Sequence, residues 1–206
     1  MKQLLESNSR VRDLLESISS SGKHWAIVGG APRQWALGLS GPPDDLDIVV
    51  GLRRPSLKDL LQVWHNESCE HVAIRSTALG GYRLNFSDCT VDIWGVEETI
   101  GVAKGWVHDS KSFRAVSRSA ALSLDSILVT CRGTVYERGF FKTLDTGVLT
   151  MNHCFIERPR KIAEKALRLC KQFGLVPDLS VQAHIAQFLG NSAVQELADS
   201  PQSAKG

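Results

Sequence analysis

Residues 25–50 read WAIVGGAPRQWALGLSGPPDDLDIVV. Trp25-Ala26-Ile27-Val28 is a short apolar run stopped by Gly29-Gly30, and Ala31 to Leu39 then has the length of a helix. That order predicts a strand, a glycine turn and a helix. Gly41-Pro42-Pro43 breaks the helix, since proline lacks an N–H and clashes with the preceding turn. Leu46 to Val50 is a second predicted strand with Asp45 and Asp47 at its entrance. Strand side chains alternate with period two, so Asp45 and Asp47 share a face.

Before this stretch, Leu4, Leu5, Val11, Leu14, Leu15 and Ile18 recur at helical spacing among Arg10, Arg12, Asp13 and Glu16, which predicts an amphipathic helix within residues 1–20. Ser19-Ser20-Ser21-Gly22 ends it. After the acidic strand, the pattern predicts a helix from about Ser56, as N-cap, through Trp64. Three more strands are expected, at His71 to Arg75, Tyr82 to Phe86 and Val91 to Trp94. Ala120 to Val129 is apolar without a decisive period, and Thr134 to Tyr136 and Gly147 to Leu149 read as short extended pieces separated by turns. Ile162, Ala166, Leu169 and Phe173 restore helical spacing until Gly174 and Pro177, and a last helix runs through Ile185, Phe188 and Leu189. The expected organisation is an α+β head over 1–155 with a mixed sheet flanked by helices, a C-terminal helical extension over 156–200, and a flexible tail at 201–206.

With 206 residues, 43% of them hydrophobic and 22% charged, the chain has the composition of an ordinary globular protein. A net charge of +2 is too small for an extended nucleic-acid surface, leaving local clusters such as Arg158, Arg160, Lys161 and Lys165. Cys69, Cys89, Cys131, Cys154 and Cys170 are odd in number and lack CxxC spacing, which points to reduced thiols in the cytoplasm. The N-terminus has no continuous apolar segment and no later run reaches membrane-spanning length, so neither a signal peptide nor membrane insertion is expected. His24, His65, His71, His108, His153 and His184 are scattered without ligand spacing, and no zinc site is expected. The five tryptophans read as core anchors, although Trp94 shares a face with Asp92 and lies within reach of a ligand there.

Asp92 stands among Val91, Ile93 and Trp94, where an unpaired carboxylate is expensive. If that strand lies beside the Asp47 strand, Asp45, Asp47 and Asp92 converge. They then offer the hard oxygens that Mg²⁺ or Mn²⁺ accepts together with substrate phosphates. Like charges so crowded call for a bound cation or for at least one raised carboxyl pKa. Two ions about 3.5–4 Å apart can activate a hydroxyl and stabilise the leaving oxygen of an in-line displacement. Gly29-Gly30 lets backbone approach a triphosphate, the following helix presents N–H groups and its positive end to the same anion, and Arg33 and Ser40 are nearby polar candidates. Alone, each feature has a bland explanation; their order is what points to phosphoryl transfer.

Val28-Gly29-Gly30-Ala31-Pro32-Arg33 followed by Asp45-Leu46-Asp47-Ile48 resembles the GGxxR and DxD motifs of the DNA polymerase β-like nucleotidyltransferases, specifically the heads of tRNA CCA-adding enzymes and bacterial poly(A) polymerases. Val91-Asp92-Ile93-Trp94 falls where that family's third carboxylate belongs, and Lys165-Ala166-Leu167-Arg168-Leu169 resembles the basic helix after such heads. The resemblance implies that Gly29, Gly30 and Arg33 hold the triphosphate, Asp45 and Asp47 bind the metals, and Asp92 helps to deprotonate the attacking hydroxyl. It also aligns Lys165 and Arg168 with a nucleotide-contacting helix. The chain departs from the family pattern at Gln34, where Asp is common. It also departs at Arg118-Ser119-Ala120-Ala121-Leu122-Ser123, which keeps the arginine of an RDFTIN-like segment but ends in Ser123 instead of Asn.

The expected activity is template-independent transfer of a nucleoside monophosphate from an NTP or dNTP to a hydroxyl on an oligonucleotide, small molecule or protein. Little sequence follows Leu175 for the body and tail that grip tRNA in the family, so short oligonucleotides or a signal in bacterial defence, with a partner effector protein, are the expected setting. The alternatives are a non-catalytic nucleotide sensor or antitoxin-like module, and tRNA 3′-end repair with a partner chain.

Overall fold

The computed structural model describes residues 9–39, 43, 45–68, 72–107, 112–153 and 156–199. Leu4, Leu5, Ser40, Cys69, His71, His108, Cys154 and the expected tail at 201–206 lie outside the described residues. The chain divides into two compact units, Met1–Ser119 with Ile127–Tyr136, and Ala120–Ser126 with Glu137–Gly206. Ser123 lies in the interior of the second unit, bonded to Thr143, and Leu122 bridges to Met151.

The first unit runs α1 (Ser9–Ser20), β1 (Trp25–Val28), α2 (Gly30–Ala36), β2 (Asp45–Val50), α3 (Arg54–Glu67), β3 (Ala73–Ser76), β4 (Tyr82–Asn85) and β5 (Thr90–Gly95). A 3₁₀ turn at Val96–Glu98, α4 (Ile100–Ala103), α5 (Phe113–Arg118), β6 (Leu128–Thr130) and β7 (Val135–Tyr136) complete it. The strands form one seven-stranded sheet in the order β3-β4-β5-β2-β1-β6-β7. Of its six pairings, β2 with β5 is parallel and the others are antiparallel.

Alternation gives the sheet two different faces. Trp25 and Ile27, Leu46, Ile48 and Val50, Tyr82 and Leu84, and Val91 and Ile93 point to one side, where Val11, Leu14, Leu15 and Ile18 of α1 and Leu57, Leu61 and Trp64 of α3 close over them. The opposite face carries a smaller apolar cluster of Ala26, Val49, Val96, Val116 and Leu128 at one end, with Trp94 packed against it. At the other end of β2 and β5 that same face carries Asp45, Asp47 and Asp92.

Two boundaries differ from the pattern reading. The helix after the glycine turn ends at Ala36, not Leu39, with Gly38 at φ 65° turning the chain away. The next helix starts at Arg54, not after a Ser56 cap; Pro55 sits in its first turn and Arg53 precedes it without a side-chain cap, since proline's fixed φ favours that position. The short helices α4 and α5 had no readable period because neither spans two turns.

The second unit contains a 3₁₀ turn at Ser123–Asp125, α6 (Phe140–Thr146), β8 (Val148–Leu149), α7 (Pro159–Phe173), β9 (Val176–Pro177), α8 (Leu179–Leu189) and α9 (Asn191–Asp199). The extended pieces at Val135–Tyr136 and Val148–Leu149 are thus separated by a helix, not by turns alone. Helix α7 ends at Gly174, whose φ of 61° suits glycine, and buries Ala163, Ala166, Leu169 and Cys170. No described helix is long and apolar enough to cross a membrane.

Ile48 is fully buried on the central strand, behind the acidic face. Ile48→Ala is expected to lower unfolding free energy by about 2–5 kcal/mol, measured by urea denaturation. Burial pushes the Cys170 thiol up to about 12, so iodoacetamide at pH 8 should modify half-exposed Cys131 long before Cys170. Equal rates at the two positions would contradict this packing.

Candidate active site

Asp45, Asp47 and Asp92 are brought together by strand pairing rather than by sequence distance. β2 and β5 run parallel with Asp45 opposite Thr90 and Asp47 opposite Asp92. Neighbouring strands lie about 4.8 Å apart and paired residues point the same way, so Asp47 and Asp92 stand shoulder to shoulder. Asp45, two residues earlier, is on that face too. Asp45 is exposed, while Asp47 and Asp92 are half-buried.

On the other flank of β2, Val28 at the end of β1 pairs with Asp47, which delivers the next residue, Gly29, to the acidic edge. Gly29 adopts φ 72°, ψ −118° as it turns into α2, a conformation that L side chains rarely adopt. A Cβ on Gly29 would stand 3.6 Å from Asp47 Oδ2, and one on Gly30 3.8 Å from Arg33 Nη2. The glycine loop therefore lies between the acidic strand and a buried arginine. The first-turn amides facing this edge belong to Gly30 and Ala31, because Pro32 has none.

Arg83 is a site residue that the sequence reading missed. It pairs with Asp92 across β4 and β5, donating from Nε to Oδ1 at 2.7 Å and from Nη2 to Oδ2 at 2.5 Å. The hydrogen bond to Asp92 and then its charge hold the guanidinium more firmly protonated than usual, burial works slightly against this, and Asp45 and Asp47 add to it. The alternation of Tyr82 to Phe86 put Arg83 on the polar face, but only the register shows which carboxylate it meets.

The remaining sequence candidates belong to other elements. Arg118 ends α5, which packs against β6 and β7. Ser123 is fully buried in the second unit, with Oγ 2.6 Å from Thr143 Oγ1 and accepting from the Thr150 N–H, so its hydroxyl is engaged inside that unit. Lys165 on α7 makes a 2.7 Å ion pair with Asp125, and Arg168 is exposed on the same helix. Trp94 is packed in the apolar cluster and donates from Nε1 to Thr99 Oγ1 at 3.0 Å, so its indole N–H is engaged away from Asp92.

The donor chemistry fits a hard divalent cation: carboxylates on one face, next to a backbone loop able to receive phosphate. Among the described residues, no three His, Cys, Asp or Glu side chains close round one metal position. Mg²⁺ does not require such a cage, because it commonly keeps waters and takes one or two carboxylates plus substrate phosphates.

This architecture recurs in solved structures. A tRNA-processing enzyme matches 93% of the chain with a TM-score of 0.62 at 19% identity. The chain has the nucleotidyltransferase fold. A tRNA nucleotidyltransferase solved with a primer tRNA and an incoming ATP analogue matches 89% at TM-score 0.61 and 20% identity. A CCA-adding enzyme solved with CTP matches 95% at TM-score 0.64 and 15% identity. These matches cover 48%, 52% and 47% of the respective structures, so the chain spans about half their length. Coverage of 89–95% of this chain exceeds what either unit contains, so the nucleotidyltransferase likeness includes residues of both. No family profile and no curated protein matches the sequence.

Gly29→Ala is expected to lower stability by about 1–3 kcal/mol through backbone strain. Gly30→Ala, at a helical position with an ordinary contact distance, should cost less. Urea denaturation of the two variants checks the difference; equal losses would contradict the Gly29 conformation.

Proposed function

We propose that this chain is a metal-dependent nucleotidyltransferase that moves a nucleoside monophosphate from an NTP or dNTP to an acceptor hydroxyl and releases pyrophosphate. The observation that carries this reading is the in-register parallel pairing that sets Asp47 beside Asp92, next to the Gly29-Gly30 loop. Asp45 and Asp47, with Asp92, would hold Mg²⁺ or Mn²⁺. When bound, the cation neutralises phosphate charge and lowers the pKa of the attacking hydroxyl.

The chain's own residues supply the rest. The Gly29-Gly30 backbone has no side chain to keep phosphate oxygens away; the Gly29 N–H already donates to Ile127 O at 3.0 Å, so the first-turn amides of Gly30 and Ala31 are the ones that would donate to phosphate. Arg33, folded against Gly30, adds fixed positive charge beneath the loop. Asp92, on the side of Asp47 away from β1, would help to deprotonate the attacking hydroxyl. Holding both reactants on one rigid sheet lowers the entropic part of the barrier.

The acceptor reading favoured by the structural neighbours is the 3′-hydroxyl of an oligonucleotide, because solved structures of this fold hold tRNA with an incoming nucleotide analogue. The same chemistry, working in the cytoplasm, would extend a tRNA 3′ end with a partner chain, or make short oligonucleotides or a signal for a defence effector.

Purified protein incubated with Mg²⁺ and each labelled NTP and dNTP, with and without RNA acceptors, should release pyrophosphate and yield a labelled product. Asp47→Ala should reduce that turnover more than about a hundredfold. Absence of product and pyrophosphate from every nucleotide would sink the catalytic reading. Metal-independent nucleotide binding retained by Asp47→Ala would favour a sensor in its place.

A further inference from the structure

Arg83, Asp92 and Asp47 stand in a row across one face of the sheet, on β4, β5 and β2. Both oxygens of Asp92 accept from the Arg83 guanidinium in a forked, bidentate pair, the strongest form of side-chain ion pair. The pair is not deeply buried: the Arg83 side chain is 51% exposed and that of Asp92 is 26% exposed. Arg83 thus places a fixed positive charge directly against a carboxylate that the nucleotidyl-transfer reading assigns to a divalent cation.

Resting on that reading, we infer that Arg83 is a positioning residue that competes with the divalent cation for Asp92. Two effects of Arg83 oppose one another. It orders the Asp92 side chain, which favours cation binding, but that gain is small because Asp has only two torsions and a strand already restricts the first. It also occupies both Asp92 oxygens and cancels one of three negative charges, and this acts on a doubly charged ion. Charge competition therefore outweighs ordering, moderated by solvent screening at a half-exposed side chain.

The consequence is a built-in order of loading. A bare cation meets a cluster whose net charge is reduced by Arg83, whereas a cation carried by a triphosphate brings its own negative ligands and depends less on Asp92. Arg83 thereby disfavours the cation alone and favours its arrival with the nucleotide.

The test is Mn²⁺ binding without nucleotide, followed by titration calorimetry, for the unmodified chain and for Arg83→Gln, Arg83→Lys and Asp47→Ala. Arg83→Gln should bind Mn²⁺ about tenfold more tightly than the unmodified chain, because a full charge and a bidentate partner are removed. Arg83→Lys, which keeps the charge but loses the fork, should fall between the two. If the unmodified chain binds Mn²⁺, Asp47→Ala abolishes that binding, and neither Arg83 variant binds more tightly, competition by Arg83 is overturned while the cation site stands. If neither the unmodified chain nor Arg83→Gln binds Mn²⁺, competition by Arg83 is overturned, and pyrophosphate release with Mg²⁺ and nucleotide then decides the metal-dependent reading separately.

Discussion

The parallel pairing of β2 with β5 is the constraint on which the site depends. In an otherwise antiparallel sheet, this one pair runs in a common direction with Asp47 opposite Asp92. A shift of one residue would turn Asp92 toward the apolar core and Ile93 or Val91 toward solvent. The register is held because Leu46, Ile48 and Val50 on β2 and Val91 and Ile93 on β5 must all enter the same core. Hydrophobic burial on one face thus fixes the placement of charge on the other.

Close carboxylates need compensation, and the structure sets a guanidinium directly against one of them. Arg83 comes from the next strand and reaches Asp92 through the antiparallel β4–β5 register. Its forked bond leaves Asp47 on the opposite side, toward β1 and the glycine loop. The result is a graded face: guanidinium, carboxylate, carboxylate, then backbone capable of receiving an anion.

The second unit shows what packing adds to a short motif. Arg118 and Ser123 are five residues apart in a segment with a family-like pattern, but packing sends Arg118 to one unit and Ser123 to the interior of the other. A hydroxyl in a loop motif looks equally available to ligand or core; burial decides which. Lys165 on α7 forms an ion pair with Asp125 within the same unit.

The sequence alone determined the strand, glycine turn and helix around Gly29-Gly30, the shared face of Asp45 and Asp47, and Asp92 as a carboxylate on an apolar strand. These are consequences of local backbone geometry: periodicity, the conformational freedom of glycine and the effect of proline on a helix. Helix ends at Ala36 and Arg54 were less legible because caps and proline positions shift by a turn at little cost. Tertiary structure decided which strands are neighbours, and therefore that Asp92 stands beside Asp47 and opposite Arg83. It also decided that Ser123 is a buried structural hydroxyl. Strand order depends on long-range burial of whole faces, and no local pattern within a four- to six-residue strand encodes its partner.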